Sequence, residues 1–268
     1  MLIRRAAVLG KPVTHSLSPA IHNAGYAAAG LAGWSYTAIE CAEAELPDLL
    51  GGFGPEWAGV SLTMPLKEAA LAVAGQVAPL AATLGAANTL VRVAGGSWRA
   101  ENTDAPGIAG ALGAVPSGAA VAVLGAGGTA RAALAAAARI GAGRVTVVAR
   151  RPAAVAGLDP VAAALGVPLS HAPWPAPDAV AAADVVVSTV PAGVADPLAA
   201  AVRWRAGTVL LDALYHPWPT PLAAAAGAAG CRVVSGLDLL LAQAAGQFEL
   251  FTGVPAPVAA MRAALPPV

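Results

Sequence analysis

Short apolar, β-branched runs alternating with alanine-rich helical stretches set the rhythm of this chain, and that alternation predicts an α/β fold. Residues 6–9 make a first strand that stops at Gly10, and a helical pattern runs from Ala20 to Ala29. Trp34–Ile39 alternates as a strand and Ala42–Leu50 suits a helix. Ala58–Lys67 reads as a third strand running into a helix whose first turn holds Pro65 and Lys67. Ala86–Arg92 and Trp98–Asp104 look like the arms of a hairpin around Gly95 and Gly96. Ala105–Leu112 then suits a linker helix, and Pro116-Ser117-Gly118 marks a boundary.

Beyond it, Val121–Leu124 and Arg144–Ala149 are strands separated by one helix length, as a βαβ unit requires. The pattern is looser and proline-rich from Arg151 through Pro177. Ala183–Pro191 and Thr208–Tyr215 are buried strands, the second followed by a helix to about Ala229. Cys231–Val234 closes the sheet, and an amphipathic helix spans Leu239–Thr252, capped by Gly253.

The most informative turn lies between Leu124 and Arg131, where Gly125, Gly127 and Ala130 are spaced as G-x-G-x-x-A. Gly125 allows a tight turn, Gly127 lets a diphosphate approach the backbone, and the small Ala130 lets helix pack on strand. The N–H groups and dipole of the helix start then face the anion. A site for NAD usually carries an acid at the end of the next strand, to hold the ribose 2′-hydroxyl, whereas a 2′-phosphate needs cations. This strand ends in Arg150-Arg151-Pro152 with no acid before Asp159, which favours NADP.

Composition narrows the classes. With 15 Lys and Arg against 15 Asp and Glu, the net charge is zero, which removes the electrostatic case for nucleic acid or an anionic membrane. Ala69–Val91 and Ala105–Ala130 are long and uncharged, yet both are interrupted by Pro, Gly, Asn or Thr, so neither reads as a membrane span. The N-terminal apolar stretch is too short for a signal peptide and reads as a first strand. Cys41 and Cys231 are isolated and are expected to be buried thiols in a reducing compartment, so a cytoplasmic protein is the default. No His, Cys, Asp or Glu cluster has metal spacing and there is no G-x-S-x-G, so neither a metal nor a covalent intermediate is expected.

Five positions carry candidate chemistry outside the glycine turn: Ser16, Ser18, Lys67, Asn88 and Asp104. Ser18-Pro19 reads as a helix N-cap followed by proline, and Ser16 and Ser18 present two hydroxyls at the mouth of a strand–loop–helix. Lys67 sits at a helix start, where the dipole disfavours a cation, a placement suited to proton transfer and otherwise that of an exposed lysine. The hairpin brings the Asn-Thr pairs at Asn88 and Asn102 to one end, so Asn88 and Asp104 are expected near each other. Asp104 also suits a helix N-cap ahead of Pro106.

Taken together, His15–Pro19, Val60–Lys67, Gly85–Thr89, Asn102–Asp104, Gly125–Ala130, Asp212–Tyr215 and Gly236–Gln247 resemble the shikimate dehydrogenase family, in order and over nearly the whole chain. The resemblance implies two α/β domains flanking a cleft. Residues 1–104 with 238–268 would bind substrate, and residues 105–237 would form a Rossmann-type NADP domain. It implies Lys67 and Asp104 as the catalytic pair, with Ser16, Ser18, Thr63, Asn88, Tyr215 and Gln243 as substrate ligands. Gly125, Ala126, Gly127, Gly128, Thr129, Ala130, Arg150, Arg151 and Gly236 would contact NADP.

The implied activity is reversible, NADP-dependent reduction of 3-dehydroshikimate by a monomer or homodimer. A quinate or aminoshikimate dehydrogenase is the alternative enzyme, and a non-catalytic binder of NADP or shikimate is a further class. Ser61, Ala105, Arg151 and His216 depart from residues common in the family. Ser61 and His216 bear on ring preference; none of the four removes a catalytic side chain.

Overall fold

A computed structural model describes residues 3–267 and divides the chain into two compact units, residues 3–103 with 240–267 and residues 104–239. The first unit holds a six-stranded mixed sheet built from β1 (Arg4–Gly10), β2 (Trp34–Glu40), β3 (Trp57–Leu62), β4 (Gln76–Val77), β5 (Thr89–Arg92) and β6 (Trp98–Glu101). Its order is β2-β1-β3-β5-β6-β4. The first three strands are parallel, and the expected hairpin appears as the antiparallel β5–β6 pair, with Thr89 opposite Glu101. Alternation puts Ala7 and Leu9 of β1 in one apolar cluster and Ala6 and Val8 in another, so the sheet is covered on both faces. Phe248 and Phe251, from the helix Gly236–Thr252, complete the second cluster.

The second unit holds β7 (Ala120–Leu124), β8 (Arg144–Ala149), β9 (Leu169–Pro173), β10 (Val185–Ser188), β11 (Val209–Asp212) and β12 (Arg232–Val234). All six are parallel, in the order β12-β11-β10-β7-β8-β9. Numbered within the unit and read from the other edge, that order is 3-2-1-4-5-6, the doubly wound dinucleotide-binding arrangement, with its switch point between β7 and β10. Ala130, Ala132, Ala133, Ala136 and Ala137 of the helix Gly128–Arg139 are buried, because methyl-sized side chains let the helix lie close to its neighbours.

Three expectations need correction. The stretch from Arg151 to Pro177 is regular: it contains the helices Pro152–Ala156 and Asp159–Leu165 and the strand β9, and Pro152, Pro160 and Pro177 each sit in the first turn of a helix instead of breaking one. The helix Asp104–Leu112 is not a linker; it packs against Gly128–Arg139 within the second unit. Ser18 is not an N-cap but the first helical residue, and its own N–H donates to Ser16 Oγ at 3.3 Å. Among the described residues no helix is long and apolar enough to cross a membrane, and Cys41 and Cys231 are free, buried thiols.

Candidate active site

In the first unit the site residues collect where parallel strands end, the position at which open α/β sheets present ligands. β1 ends at Gly10, ahead of Ser16 and the buried Ser18; β3 ends at Leu62, ahead of Thr63. The Thr63 N–H donates to Leu9 O at 2.9 Å, and the Thr63 carbonyl accepts the Leu66 N–H that opens the next helix. Lys67 is the second residue of that helix, Leu66–Val73, and is half-buried. Its carbonyl accepts the Ala87 N–H at 2.7 Å, which fastens the lysine backbone one residue from Asn88.

Asn88 organises this end of the sheet. It is 1 % exposed, and a buried amide needs partners for its whole donor and acceptor set. Its carbonyl accepts from the Leu62 N–H and from Gln247 Nε2; its Oδ1 accepts from the Thr103 N–H at 2.8 Å and from Thr89 Oγ1 at 2.9 Å. Its Nδ2 donates to Thr103 Oγ1 at 2.9 Å and to Gln243 Oε1 at 3.2 Å. Gln243, predicted from the far end of the chain, is therefore brought to Asn88 across 155 positions. Thr103 is pinned one residue before Asp104, which is itself buried and opens the helix Asp104–Leu112.

Gln247, Thr103 and Tyr36 lie outside the set of predicted site residues. Gln247 Nε2 also donates to Thr89 Oγ1 at 3.0 Å, and the hydroxyls of Tyr36 and Ser61 share a short hydrogen bond beneath the site. Ser61 thus spends its hydroxyl on the protein, and burial pushes the Tyr36 phenol up. The imidazole of His22 stacks on Tyr36 with centroids 4.1 Å apart and planes 3° from parallel. Among the described residues its nitrogens have no close hydrogen-bond partner, and burial lowers its pKa from 6.5 to about 3, with Gln247 beside it offsetting only part of that shift. Spacing offers no signal for a scaffold built from helix, strand and C-terminal helix at once.

The glycine turn of the second unit lies at the switch point. Gly125 has φ +106°, and a Cβ there would come within 2.6 Å of Thr189 Oγ1 in the segment after β10, so only glycine fits. Around Gly127 a Cβ would meet nothing within 4 Å, and this exposed residue caps the helix start without a side-chain hydrogen bond. No acid occupies the first turn of that helix. Ala126, Gly128 and Thr129 are half-buried around it and Ala130 is buried. Arg150 and Arg151 follow β8, are exposed, and pair with no acid among the described residues.

Asp212 ends β11 and ties down the loop that carries Tyr215: Thr220 Oγ1 donates to it at 2.7 Å and the Leu214 N–H at 3.2 Å. Burial raises the carboxyl of Asp212, with these bonds opposing it, and burial raises the half-buried Tyr215 phenol. Gly236 meets the same loop. A Cβ on it would lie 2.4 Å from the Ala213 carbonyl oxygen and 2.6 Å from Leu214 backbone atoms, so close backbone approach is the reason for this glycine.

Comparison with known proteins gives the family. Residues 8–90 match the shikimate dehydrogenase substrate binding domain and residues 236–265 the shikimate 5′-dehydrogenase C-terminal domain. Residues 120–216 match the family described as NADP oxidoreductase coenzyme F420-dependent. The shikimate dehydrogenase (NADP(+)) of Moorella thermoacetica is 38 % identical over 268 residues, covering 95 % of this chain and 90 % of its own length. The chain belongs to the shikimate dehydrogenase family.

Solved family structures agree in fold. The Mycobacterium tuberculosis shikimate dehydrogenase superposes with a TM-score of 0.90 at 52 % identity, over 97 % of this chain and 98 % of that one. The Thermus thermophilus enzyme, solved in complex with NADP(H) and shikimate, gives 0.85 at 35 % identity over 98 % of both chains. The doubly wound second unit and the mixed sheet of the first are thus the family's fold.

Proposed function

We propose that this protein catalyses the reversible, NADP-dependent reduction of 3-dehydroshikimate to shikimate. The observation that carries the reading is the junction of Lys67, Ala87, Asn88, Thr103 and Gln243. It gathers an amine-bearing residue and a set of amides and hydroxyls at the carboxyl ends of β1 and β3. A polyhydroxylated ring needs such a set, because each buried hydroxyl requires a partner. Ser16, Ser18, Thr63, Asn88, Tyr215 and Gln243 together would hold the ring's hydroxyls and carboxylate.

NADPH supplies the hydride when bound. The open backbone at Gly127, the uncapped start of the helix Gly128–Arg139 and the two exposed arginines after β8 fit a diphosphate and a 2′-phosphate. Residues Gly125 to Ala130 would hold the former, Arg150 and Arg151 the latter, and Gly236 would line the site through its contact with the 213–214 backbone. In the chain's own chemistry, Lys67 stabilises the negative charge that develops on the carbonyl oxygen and delivers a proton to it from Nζ. Asp104 orients the ammonium group. In the reverse direction Lys67 takes the alcohol proton.

Initial rates with shikimate and with quinate, each with NADP and with NAD, test the reading. Shikimate with NADP is expected to be turned over fastest, and strong turnover of quinate with NAD overturns it. Arg150→Ala is expected to raise KM for NADPH about tenfold or more while leaving KM for NADH nearly unchanged, since a charge-assisted bond to phosphate is worth roughly 1.5–3 kcal/mol. Equal losses with both cofactors would remove Arg150 from the phosphate site. Gln243→Ala is expected to raise KM for shikimate by about tenfold through one lost hydrogen bond; an unchanged KM places Gln243 outside the binding site.

A further inference from the structure

Gln247 is a polar side chain at a core position. It follows Gln243 by one turn on the helix Gly236–Thr252, so both amides lie on one face. Ala244, Phe248 and Phe251 of the same helix pack into the apolar cluster that includes Ala6 and Val8 of β1. Gln247 is buried, and its Oε1 has no close hydrogen-bond partner among the described residues. A buried carbonyl in that state costs stability that a leucine or methionine would not. The partners of its Nε2 give the amide a use.

Those hydrogen bonds run in one direction. The Asn88 carbonyl can only accept, so Gln247 turns Nε2 toward it, at 3.2 Å. The same nitrogen donates to Thr89 Oγ1 at 3.0 Å. Thr89 has one hydroxyl proton, and with its oxygen accepting from Gln247 that proton goes to Asn88 Oδ1, at 2.9 Å. The Thr103 N–H donates to the same Oδ1. Thr103 Oγ1 stands 2.9 Å from Asn88 Nδ2 and 3.3 Å from Oδ1, close enough to accept from one or donate to the other. While Thr89 and the Thr103 N–H fill Oδ1, the Thr103 hydroxyl accepts and Nδ2 stays turned to Gln243 Oε1, at 3.2 Å. Gln243 Nε2 donates to the Leu240 carbonyl at 2.9 Å, and a second proton on that nitrogen is left for a ligand. Thr89 is fully buried, so its hydroxyl acts on a substrate only through Asn88.

We propose that Gln247 is a positioning residue for the substrate site: through Thr89 it keeps Asn88 Oδ1 filled, so that Thr103 accepts from Nδ2 and Gln243 turns an N–H to the substrate. The inference rests on the dehydrogenase reading above and adds a residue behind its binding set.

Gln247→Met keeps the length of the side chain and removes the donor, and Thr89→Val keeps the shape and removes the hydroxyl. Each is expected to raise KM for shikimate about three- to tenfold, the worth of one neutral hydrogen bond, with kcat and KM for NADPH within about twofold. Thr89→Ser keeps the hydroxyl and is expected to keep KM. Because the two side chains act in series, the double variant is expected to lose no more than the weaker single one. A general loosening of the fold would move kcat, KM for NADPH and the melting temperature together. Unchanged KM for shikimate in Gln247→Met and Thr89→Val, or multiplicative losses in the double variant, overturns the proposal. Should Gln247→Met fail to fold, Thr89→Val against Thr89→Ser carries the test alone.

The Asn88 side-chain amide pair in ¹⁵N NMR spectra, identified by its loss in Asn88→Asp, reads the same network without turnover. It is expected to shift in Gln247→Met and Thr89→Val and to hold its place in Thr89→Ser; an unmoved pair overturns the proposal. A wild-type protein that turns over no shikimate overturns the dehydrogenase reading instead, and the amide pair then decides whether Gln247 sets the direction of these bonds.

Discussion

Lys67→Ala is expected to lower kcat by about 10²–10⁴-fold, the usual contribution of a positioned general acid, while the affinity for NADPH stays nearly constant. The backbone of Lys67 is held by the bond from Ala87 to its carbonyl and by the helix Leu66–Val73, neither of which needs the side chain. Truncation should therefore remove the amine without moving Thr63 or Asn88. Asp104→Ala is expected to fall in the same range, since its proposed role acts through the lysine.

The double variant discriminates between roles: if the two act as one unit, Lys67→Ala with Asp104→Ala loses no more rate than Lys67→Ala alone. Fully multiplicative losses would assign them separate jobs. A loss of less than tenfold for Lys67→Ala would end the proton-transfer assignment.

Stability in urea is expected to fall between pH 7 and pH 5, and His22 is expected to account for about 2 kcal/mol of that fall. The sign follows from the proton count. Folded His22 stays neutral because its pKa drops from 6.5 to about 3, whereas the unfolded chain takes up a proton near pH 6.5. Between those two values the unfolded state binds more protons, so its weight grows as pH falls. The stabilisation is complete above 6.5 and shrinks progressively toward pH 3. His22→Phe keeps a ring against Tyr36 and removes the titration. Whatever its stability at pH 7, this variant should lose about 2 kcal/mol less than wild type on going to pH 5. Identical pH dependence in the two proteins would mean that the imidazole is hydrated in the folded state.

Both expectations combine local pattern with long-range placement, and the two differ in how legible they were. The strand–glycine–helix turn at Gly125, the hairpin of β5 and β6, and the buried strands β10 and β11 were readable because each is encoded within about ten consecutive residues. β9 was missed because no residue in it is fully buried: its pattern carries no alternation, and only pairing with β8 makes it a strand. The prolines from Pro152 to Pro177 read as breakers because a proline looks alike inside a loop and in the first turn of a helix.

Of the site, the residue types and their order along the chain were evident, and the motifs named the family. Their partners were not. Nothing in the spacing says that Gln247 spans Asn88 and Thr89, that Ser61 is engaged by Tyr36, or that Gly236 exists to clear the backbone at Ala213 and Leu214.

By itself, then, the order of residues determined the secondary elements with strong periodicity, the α/β class, the glycine turn with its cationic follower, and the family. These rest on steric and hydrophobic rules that act within one strand, turn or helix. Only the tertiary structure decided that Asn88 meets a glutamine 155 positions away and that His22 is sealed against Tyr36. Those contacts arise from how strands order themselves in a sheet and which helix returns to cover it. A side chain's solvation and partners depend on that packing, which no local pattern specifies.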